Sequence, residues 1–144
     1  LGSSRMVVVA APSYIEREGI PKTPEDLNQH NQLGFGFSRQ LKAWPFKGEQ
    51  EALMLPPSGN LLVSDGETMR TAAIAGLGVA KLALFHVQKD ISGGRLVPLL
   101  EDYNPCDQEE VHAVFIGPGR QLPARVRVFI DHLVEQCALG ESAV

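Results

Sequence analysis

An α/β fold is the architecture that this sequence predicts, and three observations support the prediction. Short apolar runs alternate with segments of helical periodicity along the 144 residues. The first run, residues 5–11 (RMVVVAA), is continuously apolar and β-branched, which is typical of a strand buried on both faces in a parallel sheet covered by helices. The last segment, residues 123–137, carries apolar side chains at intervals of three and four, which predicts an amphipathic helix.

The elements between these two follow from local signals. Residues 13–18 are expected to form a short helix closed by Gly19, and Thr23, as an N-cap, begins another. A further helix is expected at residues 84–91. Strands are expected at residues 33–37, 60–63, 79–82, 95–100 and 110–116, with shorter strand-like pieces at residues 44–46 and 51–55 that suggest an antiparallel excursion.

The segment from residue 64 to residue 76 is the most informative. It begins with a match to the capping box, in which Ser64 caps the helix and Glu67 reaches back to it. Ser64, Asp65 and Gly66 would then place free backbone N–H groups, a hydroxyl and the positive helix end at one spot, which favours binding of carboxylates or phosphates. Ligands also gather at such strand ends in open α/β sheets. The alternative is that Ser64 and Glu67 only satisfy each other as a cap, and both interpretations stay open.

Composition restricts the class of partner. A net charge of −4, with only Arg120, Arg125 and Arg127 gathered locally, argues against direct binding of nucleic acid. The longest apolar stretches are too short to cross a bilayer, and no secretion signal opens the sequence, so we expect a cytoplasmic protein. Cys106 and Cys137 are expected to be free thiols in a reducing compartment, although a disulfide between them stays open.

Motifs for catalysis, metal binding and cofactor binding are missing from the sequence. There is no phosphate-binding loop, no complete dinucleotide fingerprint, no HExxH and no GxSxG. The four histidines are scattered, and none lies at ligand spacing from another. We therefore predict neither an enzyme nor a metal or cofactor protein.

Several motifs together resemble the effector-binding domain of LysR-type transcriptional regulators. VVVAAPSYIEREGIPKTPEDLNQHNQLGF at residues 7–35 is similar to the family's hinge strand and the helices that follow it. SDGETMR at residues 64–70 resembles the family's NDGEALR, and AGLGVA at residues 75–80 resembles AGLGIA. GRLVPLL at residues 94–100 and LPARVRVFIDHLVE at residues 122–135 complete a match that covers nearly the whole chain in one order.

The resemblance implies a two-lobed fold of the periplasmic-binding-protein type II. This chain would contain one complete Rossmann-like lobe and the C-terminal remnant of the other. Residues 1–11 would be a crossing strand from the first lobe, residues 12–110 the complete second lobe, and residues 111–144 the returning strand and C-terminal helix of the first lobe. The front part of the sensing domain and a winged helix-turn-helix would precede residue 1.

The resemblance also implies a function and a site. A small effector, an organic acid or an aromatic compound, would bind in the cleft between the lobes and control how a homodimer or tetramer holds promoter DNA through the helix-turn-helix. The residues expected to line the site are Ser64, Asp65, Gly66, Phe37, Ser38 and Pro12, whereas Arg70 is expected to be a surface or inter-subunit charge. The alternative function is a solute-binding protein of a transporter, which shares the two-lobed design.

Overall fold

The first predicted strand is the central strand of the main sheet in a computed structural model, which describes residues 1–36, 43–116 and 123–136. The described residues form these elements in chain order: β1 (Gly2–Ala10), α1 (Pro12–Glu18), a 3₁₀ helix (Pro24–Gln29), β2 (Gly34–Phe35), β3 (Trp44–Phe46), β4 (Leu53–Leu55), β5 (Leu62–Val63), α2 (Gly66–Ile74), β6 (Ala80–Ala83), α3 (Leu84–Ser92), β7 (Val97–Leu99), another 3₁₀ helix (Glu101–Tyr103), β8 (Gln108–Val111) and α4 (Ala124–Gln136). Strands and helices alternate over most of the chain, which confirms the predicted α/β class.

Strand β1 is buried on both faces, but it is not parallel to its neighbours. Val7 and Val9 are inaccessible to solvent, and Val8 on the opposite face is 4% exposed. The strand pairs antiparallel with β6 on one side and with β7 on the other. The prediction of burial is therefore confirmed and the prediction of a parallel arrangement around β1 is wrong, because an apolar run reports burial and not the direction of the neighbouring strands.

Parallel pairing does occur beyond β6. β2 and β5 pair in parallel, with Phe35 opposite Val63. The amide of Leu33 donates to the carbonyl of Val79, immediately before β6, over 2.8 Å, and the amide of Val79 donates to Asn31 over the same distance. The carboxyl ends of β2, β5 and β6 therefore point to the same edge of the sheet.

Apolar side chains pack on both faces of the sheet. One cluster lies under α2 and α3 and includes Met69 and Ala73 of α2. The other lies under α1 and the β3–β4 hairpin, whose antiparallel pairing confirms the predicted excursion. Leu77 is half exposed, since α2 ends before it at Ile74. No helix among the described residues has the length and apolar character needed to cross a membrane.

The chain divides into two compact units, Arg5–Asp107 and a smaller one that combines Leu1–Ser4 with Gln108–Val144. In the smaller unit β8 pairs with β1. β8 ends at Val111, so the strand predicted at residues 110–116 is shorter and lies earlier in the chain.

Helix α4 forms in the smaller unit where the sequence predicts it, and none of its residues is buried. Phe129 and Val134 of its apolar stripe are 60% and 53% exposed. Val126, Ile130 and Leu133 of the same stripe are half-buried, so the stripe is only partly covered among the described residues. Cys137, at the predicted end of the helix, lies outside the described residues.

Candidate functional site

The connection between β5 and α2 is built around Asp65. Its backbone is extended. Its carboxylate accepts hydrogen bonds from the amide and from the hydroxyl of Thr68, each over 2.8 Å. The predicted cap at Ser64 is therefore wrong by one residue, because an aspartate three residues before Thr68 satisfies the helix start equally well. Glu67 does not reach back, since its carboxylate accepts a hydrogen bond from Arg70 instead.

The N-cap residue Asp65 gives the start of α2 a negative charge. Hydrogen bonds from the Thr68 amide and then from the Thr68 hydroxyl lower the pKa of the Asp65 carboxyl, so Asp65 is anionic at neutral pH. The carboxylate compensates the positive end of α2. The Ser64 hydroxyl lies 3.3 Å from the same carboxylate and is exposed to solvent. A ligand here would meet an anionic acceptor beside a hydroxyl, and not the open set of N–H groups that the sequence suggested.

A second strand-to-helix connection, from β6 into α3, lies against the first. A Cβ added to Gly66 would lie 2.9 Å from Nε2 of His86 and 3.1 Å from its Cε1, so the imidazole packs directly on the first residue of α2. The His86 ring also stacks on Phe85, with ring centroids 4.1 Å apart and an angle of 34° between the planes. Among the described residues His86 forms no hydrogen bond. The site therefore contains a half-buried imidazole and an adjoining aromatic ring.

His86 was not among the residues that the sequence singled out. The signal that could have found it is the strand-end rule that selected Ser64. β6 lies in the same parallel set as β2 and β5, so residues that follow it reach the same edge.

Adding a methyl group at Gly66 tests this contact. We expect Gly66→Ala to displace the His86 ring, because the new Cβ would overlap it, and to shift the ring's Cε1–Hε1 signal in a ¹H–¹³C spectrum. Gly36→Ala is the matched control, since a Cβ there would meet nothing closer than 3.6 Å. Equal His86 shifts in both variants would contradict the contact.

Ion pairs around the buried carboxylate of Asp90 link α2 to α3. The Asp90 carboxylate is inaccessible to solvent. It accepts two hydrogen bonds from Arg70, one from Nε over 2.5 Å and one from Nη2 over 3.0 Å. Arg95 also pairs with it. The bonded Arg70 guanidinium lowers the pKa of Asp90 despite its burial. Arg70 is therefore paired within the chain with Asp90 and Glu67 while its side chain stays 23% exposed, and a role between subunits stays a prediction.

Pro12 lies at the opposite edge of the sheet from Ser64 and Gly66. β1 runs antiparallel to β6 and pairs its Met6 with Ala83, so the end of β1 that leads to Pro12 is at the edge where β6 begins. Ser13 lies beside Gly76, after the end of α2, whereas Ser64 precedes its start. The nine-residue helix alone separates these ends by about 13 Å. The expectation that Pro12 lines the site is corrected by the direction of β1.

Phe37 and Ser38 lie outside the described residues. The chain that leads to them is described up to Gly36, whose amide donates to the carbonyl of Val63 over 2.9 Å. β2 and β5 thus end side by side. The placement of Phe37 and Ser38 at the site stays a prediction.

The other three histidines have nearby hydrogen-bonding partners or lie on exposed surfaces. Nδ1 of His30 lies 3.1 Å from the Tyr14 hydroxyl, and Nε2 of His112 lies 3.1 Å from the Glu110 carboxylate. Within residues 1–36, 43–116 and 123–136, no three His, Cys, Asp or Glu side chains gather as metal ligands.

Comparisons with known proteins agree on one family. A family model of the LysR substrate binding domain matches residues 1–138. The chain is 34% identical over 137 residues to the transcriptional regulator CrgA of Neisseria meningitidis serogroup C, and the match covers 94% of this chain and 45% of CrgA. It is 33% identical over 135 residues to the transcriptional activator AaeR of Escherichia coli K12, with 94% and 43% covered. The chain therefore spans less than half the length of these curated relatives.

Solved structures give the same result. The regulatory domain of CrgA from Neisseria meningitidis superposes with a TM-score of 0.84 at 33% identity, covering 96% of this chain and 66% of that one. The regulatory domain of AphB from Vibrio vulnificus, treated with cumene hydroperoxide, superposes with a TM-score of 0.72 at 25% identity, covering 92% and 66%.

Proposed function

The chain belongs to the LysR substrate-binding domain family, and from this membership we propose that it senses a small effector on behalf of a transcriptional regulator. The curated relatives that cover the chain are named as transcriptional regulators. This disfavours the transporter solute-binding alternative, and it gives no support to a catalytic role.

The observation that carries the proposal is the meeting of two strand-to-helix connections at one sheet edge. Ser64, Asp65 and Gly66 begin one helix, and His86 from the next helix packs on Gly66. In this proposal these residues form the effector site on the Arg5–Asp107 unit, and the assignment of residues 12–110 as a complete second lobe stays a prediction. That Phe37 and Ser38 also line the site stays a prediction, since both lie outside the described residues, and Pro12 is left out of it.

The chemistry of the site favours an aromatic effector that carries a polar group. The half-buried His86 imidazole, which packs against Phe85 on one side, can present its other face to an aromatic ring. Ser64 and His86 supply a hydroxyl and a ring nitrogen for hydrogen bonds. An aromatic acid would keep its carboxylate on the His86 side, away from anionic Asp65.

Effector binding would act by favouring one arrangement of the two lobes over another, since a ligand shifts a conformational equilibrium only through different affinities for the two states. The complete regulator, a homodimer or tetramer, would transmit this change to promoter DNA through its helix-turn-helix domain. This acidic chain would itself make no contact with the DNA.

A DNA-binding assay on the full-length regulator tests this function. On a DNA site selected in vitro, we expect the effector to change the mobility or bend of the complex. His86→Ala should remove that response and leave DNA binding itself intact, because His86 lies in the effector site and not in the DNA-binding domain. An effector response that persists in His86→Ala would contradict the assignment of His86, and no response to any compound that binds the protein would contradict the regulatory role.

A further inference from the structure

A buried ammonium group lies on β6, away from the candidate site. The side chain of Lys81 is only 6% exposed, and its Nζ donates to both carboxylate oxygens of Asp107 over 2.9 and 2.8 Å. Apolar residues surround it, among them Met6, Val8 and Phe46. Burial lowers the pKa of Lys81. A buried charge of this kind is costly unless it is paired, so the pair with Asp107 is what allows a lysine at this position.

Asp107 is the last residue of the Arg5–Asp107 unit, and it also holds the strand by which the chain enters that unit. Its carbonyl accepts the amide of Met6 over 2.8 Å. The carbonyl of Met6 in turn accepts Nδ2 of the buried Asn104 over 2.9 Å. The amide and the carbonyl of Met6 are therefore both hydrogen-bonded to residues 104–107. Met6 follows Arg5, the first residue of the unit.

The segment that makes these bonds leaves β1 and then returns to it. β7 pairs with β1 up to Leu99, after which Leu100 adopts a left-handed backbone with φ of 57°. Cys106, immediately before Asp107, is also left-handed with φ of 59°, and its amide donates to Oδ1 of Asn104. Such backbones are unfavourable for residues other than glycine, so the return to Met6 depends on the side-chain bonds made by Asn104 and Asp107.

We propose that Lys81, Asn104 and Asp107 form a latch that fixes both strands leaving the Arg5–Asp107 unit onto that unit. The latch holds Met6 of β1 and the last residue of the unit, Asp107, onto β6. Its relevance to signalling rests on the proposed function, because only a sensor with moving lobes needs defined pivots. The latch itself does not depend on any effector.

Hydrogen exchange of backbone amides in the 144-residue chain tests the latch. We expect Lys81→Met to accelerate exchange of the Met6 amide severalfold, because Asp107 loses its side-chain anchor, and to leave the amides of α2 unchanged. Lys22→Met is the matched control, since Lys22 is exposed. It should leave both sets of amides as in the unchanged chain.

Unchanged exchange at Met6 in Lys81→Met would overturn the latch, and so would acceleration of the Met6 and α2 amides by the same factor. If Lys81→Met does not fold, Asp107→Asn is measured against the same two criteria, since it removes the ion pair and keeps the Asp107 carbonyl. No effector takes part in these measurements. A failure of the latch is therefore distinguishable from a failure of the sensor function, which is read from ligand binding.

Discussion

Replacing Asp107 with alanine is expected to lower the free energy of unfolding by about 2–3 kcal/mol. The change leaves the ammonium of Lys81, 6% exposed, without its partner. Loss of one member of a fully buried pair costs about 3–5 kcal/mol, and the value here is smaller because Asp107 is one-third exposed and water can reach the gap. Urea unfolding of the chain at pH 7 measures the change.

The opposite substitution should be far milder. Lys81→Met leaves a carboxylate that water can solvate and places an apolar side chain of similar length among Met6, Val8 and Phe46, so we expect a loss below about 1 kcal/mol. In the double variant, Lys81→Met should rescue most of the loss caused by Asp107→Ala. Additive losses would contradict this account of the pair.

The loss in Asp107→Ala should also depend on pH in a defined direction. Burial lowers the pKa of Lys81 in the folded chain below that of an unfolded lysine. The folded state therefore binds fewer protons than the unfolded state between these two pKa values, and stability rises with pH in that window. Because Asp107 raises the pKa of Lys81, its removal lowers that pKa further, so the variant gains stability with pH over a wider range than the unchanged chain and the loss should shrink in alkaline solution.

The second large effect is expected at Asp90. Asp90→Asn should lower the free energy of unfolding by about 2 kcal/mol at pH 7, because Arg70 and Arg95 lose a charged acceptor that is fully buried. Its exposed counterpart Asp102 provides the control, since Asp102→Asn should change stability by less than about 0.5 kcal/mol.

Acid should abolish the difference between Asp90→Asn and the unchanged chain. The pKa of Asp90 is lowered in the folded state, so its contribution is complete above the unfolded pKa, about 3.9, and is lost as the pH falls through the folded pKa. Unfolding curves between pH 7 and pH 2 should therefore converge at the acidic end. Parallel curves over the whole range would show that the Asp90 charge does not stabilise the fold.

The sequence predicted the positions of helices and strands more reliably than the directions in which the strands pair. The apolar run in β1 predicts a buried strand, which the structure confirms. It does not predict the antiparallel pairing with β6, because strand direction depends on pairing with distant residues. The antiparallel direction of β1 also places Pro12 at the edge opposite to the one where β5 and β6 lead into α2 and α3. The capping motif gave the start of α2 to within one residue, since serine and aspartate are interchangeable as caps.

The contacts that matter most join residues far apart in sequence. Lys81 and Asp107 are 26 positions apart, and Arg70 and Asp90 are 20 apart. Neither pair follows a helical or strand spacing, so no local pattern indicates it. His86 is different, because the strand-end rule could have selected it once β6 was assigned to the parallel set.

In the proposed function, a small effector binds where α2 and α3 begin. Its most direct test is a thermal-shift screen of the full-length protein against aromatic compounds and small carboxylates, repeated with Ser64→Ala and with Ser58→Ala as the control near the start of β5. A ligand at a hundredfold excess over its Kd adds about 2.7 kcal/mol of apparent stability. We predict that one class of compound raises the melting temperature and that Ser64→Ala, but not Ser58→Ala, removes the shift. A shift that survives Ser64→Ala unchanged would contradict the site, and the absence of a shift with every compound would contradict the sensor function.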